Sequence, residues 1–536
     1  MRGPRRALVL TTGLALLAAA ACSAPKQHDS NDNKNSSNSS LSLFMYQKPV
    51  GVFGPLAAPS GPDQEVNSLV YDTLMQIGPQ GKLVPEAATA APTVSSDGKT
   101  ITYTIKPGLK WNDGQPLTSQ DLVFTYTRAA DTNTASAWAS YLTGVEGVSD
   151  YIAGKAKTIS GFTAPNPTTF VIKQTVADVG LPGRISTIGI IPEHVLQSLP
   201  IKDFATNAWF RKPTVTSGPF KFVEYKTDQY AHVTANPDFR EKVGVKDIYV
   251  KPVTADVATQ ELSTGEMDIA WISAQDVQTV KGFSNVDTQE VTVPGFVRAA
   301  WNQTEPRFKD PRVRQAFLYA VDRKGIVQSA LQGHGAVAND VLGPSWLPSD
   351  LNQYPYDPAK AKQLLKEANW DSSKPVKLSW VPGGNPDRDA AATVLQQQLN
   401  AVGVKLQLNQ VQTSYFATAY KDHSFDMVLY GGGDYTTEPS NIGPITSCNS
   451  FVPDGPNVGS YCNKQLDSLV AKAAVTVDPT QRAAIWKQAA TLENADPSMM
   501  WLYSLNNIFG VNKRVHNFQA LNFTVWFEPW KWTVGG

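Results

Sequence analysis

Six histidines and three cysteines are the only imidazole and thiol groups in this 536-residue chain, so metal and redox chemistry have few ligands to draw on. His28, His194, His232, His334, His423 and His516 are too dispersed to suggest a cluster, and neither a metal nor a cofactor is expected. The sequence motifs of common catalytic sites are missing as well. There is no HExxH of a zinc hydrolase, no GxSxG elbow, no phosphate-cradling P-loop and no GxGxxG turn. Paired carboxylates for glycoside hydrolysis stay open, since any fold can bring two acids together. With that exception the chain offers recognition rather than bond-making chemistry, and an enzyme is not expected. Thirteen Trp supply large flat faces, although Trp in a large α/β protein more often fills a core than meets a ligand.

Cys22 has a different setting from the other two thiols. Arg2, Arg5 and Arg6 precede an uncharged stretch from Ala7 to Ala21, the order of a secretory signal peptide. Its 15 residues are too few to cross a hydrocarbon core of about 30 Å as a helix. Ala19-Ala20-Ala21-Cys22 resembles a bacterial lipobox, in which the Cys is acylated and becomes the new N-terminus; Ala19 stands where Leu is commoner. An ordinary signal peptide with an incidental Cys is the rival reading. Arg5-Arg6 also raises twin-arginine export, with a poor match in the flanking residues. Residues 23–40 are almost wholly polar and read as a tether between a lipid anchor on the outer face of the membrane and a folded body. Loss of residues 1–21 takes the basic residues from 47 to 44 against 47 acidic ones, a formal charge of −3. In an exported protein Cys448 and Cys462 are expected to form a disulfide, which at this loop size contributes roughly 3 kcal/mol.

The body must be large and folded. Charged residues are 18% of the chain, below the usual share of about 25%, and 42% are hydrophobic. Lys plus Arg equal Asp plus Glu at 47 each and no basic stripe recurs, so nucleic acid is not an expected partner. Asp97-Gly98 predicts a hairpin turn into the alternating strand Ile101–Ile105. Thr118 and Asp121 predict a capping box for a helix beginning near Ser119. Asp310-Pro311 opens a second helix carrying Val313, Ala316, Phe317, Ala320 and Val321 on one face, and Asp357-Pro358 opens a third. A strand at 376–381, a helix at 387–401, Gly403 as its cap and a strand at 404–409 make a right-handed βαβ unit with parallel strands. The fold class is therefore α/β, with antiparallel hairpins in the first third.

Several segments together resemble the family 5 extracellular solute-binding proteins of ABC transporters, the oligopeptide- and dipeptide-binding proteins among them. The most specific block runs from Leu83-Val84-Pro85-Glu86 through Ser96-Asp97-Gly98-Lys99-Thr100 to Lys110-Trp111-Asn112-Asp113-Gly114 and Leu117–Asp121. Ser217-Gly218-Pro219-Phe220, Asn236-Pro237-Asp238-Phe239, Gly265-Glu266-Met267-Asp268, Val313-Arg314-Gln315-Ala316, Asp322-Arg323 and Asn512-Lys513-Arg514-Val515 keep the family order.

The resemblance implies a two-lobed periplasmic-binding-protein-like fold of class II, with an inserted subdomain and a hinge between lobes. By analogy lobe I is 41–75, 190–290 and 506–536, the inserted subdomain 76–189, and lobe II 291–505. The implied function is capture of an oligopeptide or dipeptide by a monomer and its delivery to the permease subunits of an ABC importer. An oligosaccharide, a metal chelate or a signalling peptide is the alternative ligand. Asp434 and Tyr435, after Gly432 and Gly433, match the place where relatives pair an acid with the peptide α-amino group, and a carboxylate among backbone donors suits an ammonium. Relatives usually carry a Trp and one more residue in this loop; here Gly431–Gly433 stand instead, and their open backbone could pair with an extended peptide. Trp301 and Asn302, at the end of the strand entering lobe II, and Gly61 are the further ligand-binding expectations.

Overall fold

The computed structural model describes residues 39–535 except 57–60, 137, 205, 293–294, 344–345, 383–385, 434–438, 440–441 and 522–525. The local signals act as expected. Thr118 and Asp121 form a reciprocal capping box on the helix Ser119–Ala130. Asp310 and Asp357 accept backbone N–H groups at the starts of Pro311–Tyr319 and Pro358–Glu367, each with Pro in the first turn, where its missing N–H costs nothing. Thr93–Val94 pairs antiparallel with Thr100–Thr104 around the Asp97-Gly98 turn. Val376–Trp380 and Leu406–Gln410 are parallel, with the helix Pro386–Ala401 between them in sequence.

Two boundaries differ from expectation. The helix from Pro311 stops at Tyr319 instead of including Val321, because Asp322 accepts Gly325 N–H and caps a new helix, Arg323–Ala330. The second strand of the βαβ unit begins at Leu406 because Val404 N–H still bonds Leu399 O while Gly403 turns the chain at φ +93°.

One hydrogen-bonded sheet runs through the molecule, and a 13-residue strand, Met500–Asn512, is its central member. Its C-terminal half pairs with Ile269–Trp271, beyond which come Ser40–Met45, Asp247–Pro252, Tyr230–Ala235 and Phe220–Lys226. Its N-terminal half pairs with Gly295–Trp301, followed by Met427–Gly433, Val376–Trp380 and Leu406–Gln410. A separate four-stranded antiparallel sheet lies within residues 93–173.

The apolar side chains divide accordingly. One core joins Leu41, Leu43, Ile248 and Val250 to Ile101, Tyr103, Phe170 and Ile172 of the four-stranded sheet. A second gathers Phe317, Val376, Leu378, Leu395, Met427, Trp486 and Trp501. The long strand passes from one to the other, with Trp501–Tyr503 in the second core and Phe509 and Val511 in the first.

Many of the sequence blocks meet as structural pairs. Arg514 grips Asp268 through Nε and Nη2, each at 2.7 Å, and Asp268 also accepts Ser42 N–H. Asn236 donates to Gly218 O at 2.9 Å, and a Cβ on Gly218 would lie 2.5 Å from the Val70 carbonyl carbon. Arg314 bonds Phe308 O and Pro497 O and pairs with Asp496, while Arg323 donates to Ala338 O and Gln353 O.

Candidate functional site

In open α/β sheets ligands bind beyond the carboxyl ends of the strands, where the topology reverses. Ser40–Met45 is parallel to neighbours on both sides, Asp247–Pro252 and Ile269–Trp271, so the carboxyl ends of all three open on one edge. Tyr46 follows it, 44% exposed, and Trp271 ends the adjacent strand at 38%. Asp63, fully buried on the helix Gly61–Val70, accepts the N–H groups of Val50, Gly51 and Val52 at 2.9, 2.8 and 3.1 Å. That carboxylate fixes the chain leaving Tyr46. Gly61 sits against the tyrosine, whose hydroxyl a Cβ at that position would have to displace.

In the other half of the sheet, Val376–Trp380 runs parallel to both Leu406–Gln410 and Met427–Gly433, so Gly431, Gly432 and Gly433 end at the carboxyl edge. Across from them stand Val297, Phe296 and Gly295. On the opposite side the parallel neighbour reaches only Met427 and Val428, leaving Leu429–Gly433 beyond that ladder. Crowding does not demand the glycine at 431. A Cβ there would make one ordinary contact, 3.7 Å to Val297 Cγ2.

Asp434 and Tyr435, which follow Gly433 in the sequence, lie outside the described residues, as does Cys22. Trp301 and Asn302 are described, and they do not face this edge. Trp301 pairs with Met427, the amino end of the strand that finishes at Gly433, so it stands about 14 to 20 Å from the three glycines at about 3.4 Å per residue. Strand alternation sends it with Val297 and Ala299 into the second core, where it is fully buried edge-on to Phe317. Asn302, also fully buried, donates to His423 O and Phe425 O, both at 2.8 Å, and its Oδ1 accepts from Thr304. Both residues hold the lobe together.

Beside Val297, the side chains of this strand near the glycines are Phe296, also part of the second core, and Arg298, and neither was singled out in the sequence. The Arg298 guanidinium lies 4.8 Å from the Phe296 ring centre and 4.6 Å from that of Tyr430, with the residue 8% exposed. Only the register with Tyr430 shows this, since Phe-x-Arg alone is an ordinary strand pattern. Nearby, Tyr503 donates to Asp387 at 2.9 Å and Trp380 Nε1 to Asp389 at 2.6 Å. Burial pushes the Asp387 carboxyl up despite the Tyr503 bond. Cys448 and Cys462 are disulfide-bonded, as expected.

A second group of buried charges lies away from this edge. Asp72 pairs with Arg240 at 2.6 Å, and Glu86 accepts Thr73 N–H and Oγ–H beside them. Burial, then the Asp72 charge, push the Glu86 carboxyl up to about 7. The folded value exceeds the unfolded one, so the stability held by this proton is fully present below about pH 4 and is lost as pH rises through about 7. Wild type should therefore lose about 2 to 3 kcal/mol more than Glu86→Gln between about pH 5 and 8. Urea titrations across that range measure it; parallel curves for the two proteins would mean that Glu86 does not titrate there.

Among the described residues no group of three or more His, Cys, Asp and Glu side chains could hold a metal ion, and no helix is long and apolar enough to cross a membrane.

Comparison with known proteins agrees with this architecture. The model of the bacterial extracellular solute-binding proteins, family 5 Middle, matches residues 82–451. Oligopeptide-binding protein AppA of Bacillus subtilis is 27% identical, with 97% of each chain covered. The crystal structure of the ABC transporter substrate-binding protein CtaP of Listeria monocytogenes superposes with a TM-score of 0.80 at 24% identity, covering 92% of this chain and 99% of that one. AppA of Bacillus subtilis in complex with a nonapeptide superposes with a TM-score of 0.75 at 24% identity, covering 93% and 99%.

Proposed function

The chain belongs to the bacterial extracellular solute-binding proteins of family 5, and from that premise we propose that it captures peptides between its lobes and hands them to the permease of an ABC importer. The observation that carries the reading is the open strand end at Gly431–Gly433, at the carboxyl edge of parallel strands and beyond the reach of their neighbour. An extended peptide can add to such an edge through main-chain hydrogen bonds that ignore its side chains. Support for a peptide over another solute comes from the oligopeptide-binding relative that matches nearly end to end. Asp434 receives the peptide's α-amino group, Tyr435 and the glycine backbone flank it, and Arg298 stands as a cation near the same edge. The two separately cored halves, joined through Met500–Asn512 and the segments leading into Gly295–Trp301, close around the ligand. Acylated Cys22 holds the protein at the outer face of the membrane.

Mass spectrometry of protein purified from its native membrane under mild detergent tests both parts. Peptides should be released on denaturation, and the N-terminal fragment should begin with a diacylglyceryl Cys22. Release of a sugar or a metal chelate would overturn the peptide reading; an unmodified N-terminus elsewhere would overturn the anchor.

A further inference from the structure

The long strand changes neighbours on both flanks within a few residues. On one flank Leu502 O accepts Ala338 N–H and Asn506 N–H donates to His334 O, while Ile508 O accepts Ile272 N–H and Asn512 N–H donates to Asp268 O. These are alternate residues of one strand, so all four bonds leave the same side. That flank therefore passes from Gly335–Val337, packed with the second core, to Ile269–Trp271 of the first half between Asn506 and Ile508. On the other flank Val297 pairs with Tyr503, whereas Thr292 pairs with Asn506. Both handovers fall between Tyr503 and Phe509. Residues Ser504–Asn507 are also the half-exposed stretch of a strand buried at both ends.

One group of side chains spans this joint. Glu290, on Val286–Thr292, receives Asn506 Nδ2 on its Oε1 at 2.5 Å, and both its oxygens lie 3.0 Å from His334 Nδ1. Glu290 belongs to one flank, Asn506 to the long strand and His334 to the opposite flank, just before Gly335–Val337. The carboxylate thus reaches over the central strand to a residue of the other half. Burial alone would push Glu290 up, but the bonds from Asn506 and His334, with the more distant Lys281 charge, outweigh it and hold the carboxyl below its ordinary value.

We infer that Glu290, Asn506 and His334 are positioning residues that latch the joint between the lobes and so set the balance between the arrangement described here and others. The inference rests on the reading that the lobes move. Glu290 lies on the strand paired with the C-terminal part of Met500–Asn512 and His334 just before the strand packed with the second core, so bending at Ser504–Asn507 changes their separation. The latch touches no ligand and acts through the lobe angle.

The test needs no ligand. Spin labels on Ser263→Cys and Lys362→Cys, in the full chain carrying Cys22→Ser, report the interlobe distance by pulsed electron–electron spectroscopy. Glu290→Ala and His334→Leu should each shift the ratio of this arrangement to others by about two- to fivefold, the scale expected of a partly exposed polar pair. His334→Gln, whose amide still donates to Glu290, should retain most of the wild-type distribution. Unchanged distributions in both disrupting variants would overturn the latch, even if their melting temperatures fall, since that pattern belongs to a local structural contact. Failure of the peptide-capture reading would appear elsewhere, as a wild-type distribution that no peptide alters.

Discussion

Asp434→Asn should weaken the binding of a free-amine peptide by at least tenfold, about 1.4 kcal/mol, and leave the same peptide N-acetylated almost unaffected. The substitution keeps the shape and removes the charge. In a closed, water-poor cleft an α-ammonium without its carboxylate is a buried unpaired ion, and if the pair is fully desolvated the loss rises to about 3 to 5 kcal/mol. The acetylated peptide carries no ammonium and has little to lose. Isothermal titration of both peptides against both proteins separates the cases. Equal losses would make Asp434 a turn cap; no loss with either would put the ligand elsewhere.

Trp301→Ala should act in the opposite manner, costing about 3 to 5 kcal/mol of stability while leaving peptide affinity unchanged wherever the protein is folded. The indole is fully buried and meets Phe317 edge-on with ring centres 6.0 Å apart. Removing it leaves a cavity beside Phe317 in the second core, on a strand held in the sheet by its pairing with Met427, so the site cannot collapse far. Denaturant titration followed by fluorescence of the remaining Trp residues reads the loss. A stability change below about 1 kcal/mol together with a tenfold fall in affinity would return Trp301 to the binding surface.

These two residues show how far a sequence carries. Helix starts were legible because caps are local: Thr118 with Asp121, Asp310 with Pro311 and Asp357 with Pro358 each act within one turn. The parallel unit at 376–410 was legible because its periods change from 2 to 3.6 and back at marked breaks. Trp301 was expected at the ligand because it ends a strand, and the end of a strand in sequence says nothing about which edge of a sheet it reaches. Its pairing with Met427 rather than Gly433 decides that, and pairing is a long-range fact. Arg298 was overlooked for the same reason, its ring partner Tyr430 being set by register. The ordered blocks identified the family, yet Asp268 with Arg514 and Asn236 with Gly218 serve folding, so matching them could not locate the ligand.

Closure of the two separately cored lobes on a peptide is read by small-angle X-ray scattering of the protein stripped of ligand and then supplied with the peptides it released. The radius of gyration should fall on addition, with the molecular mass unchanged apart from the peptide. Superimposable curves with the peptide demonstrably bound would contradict closure.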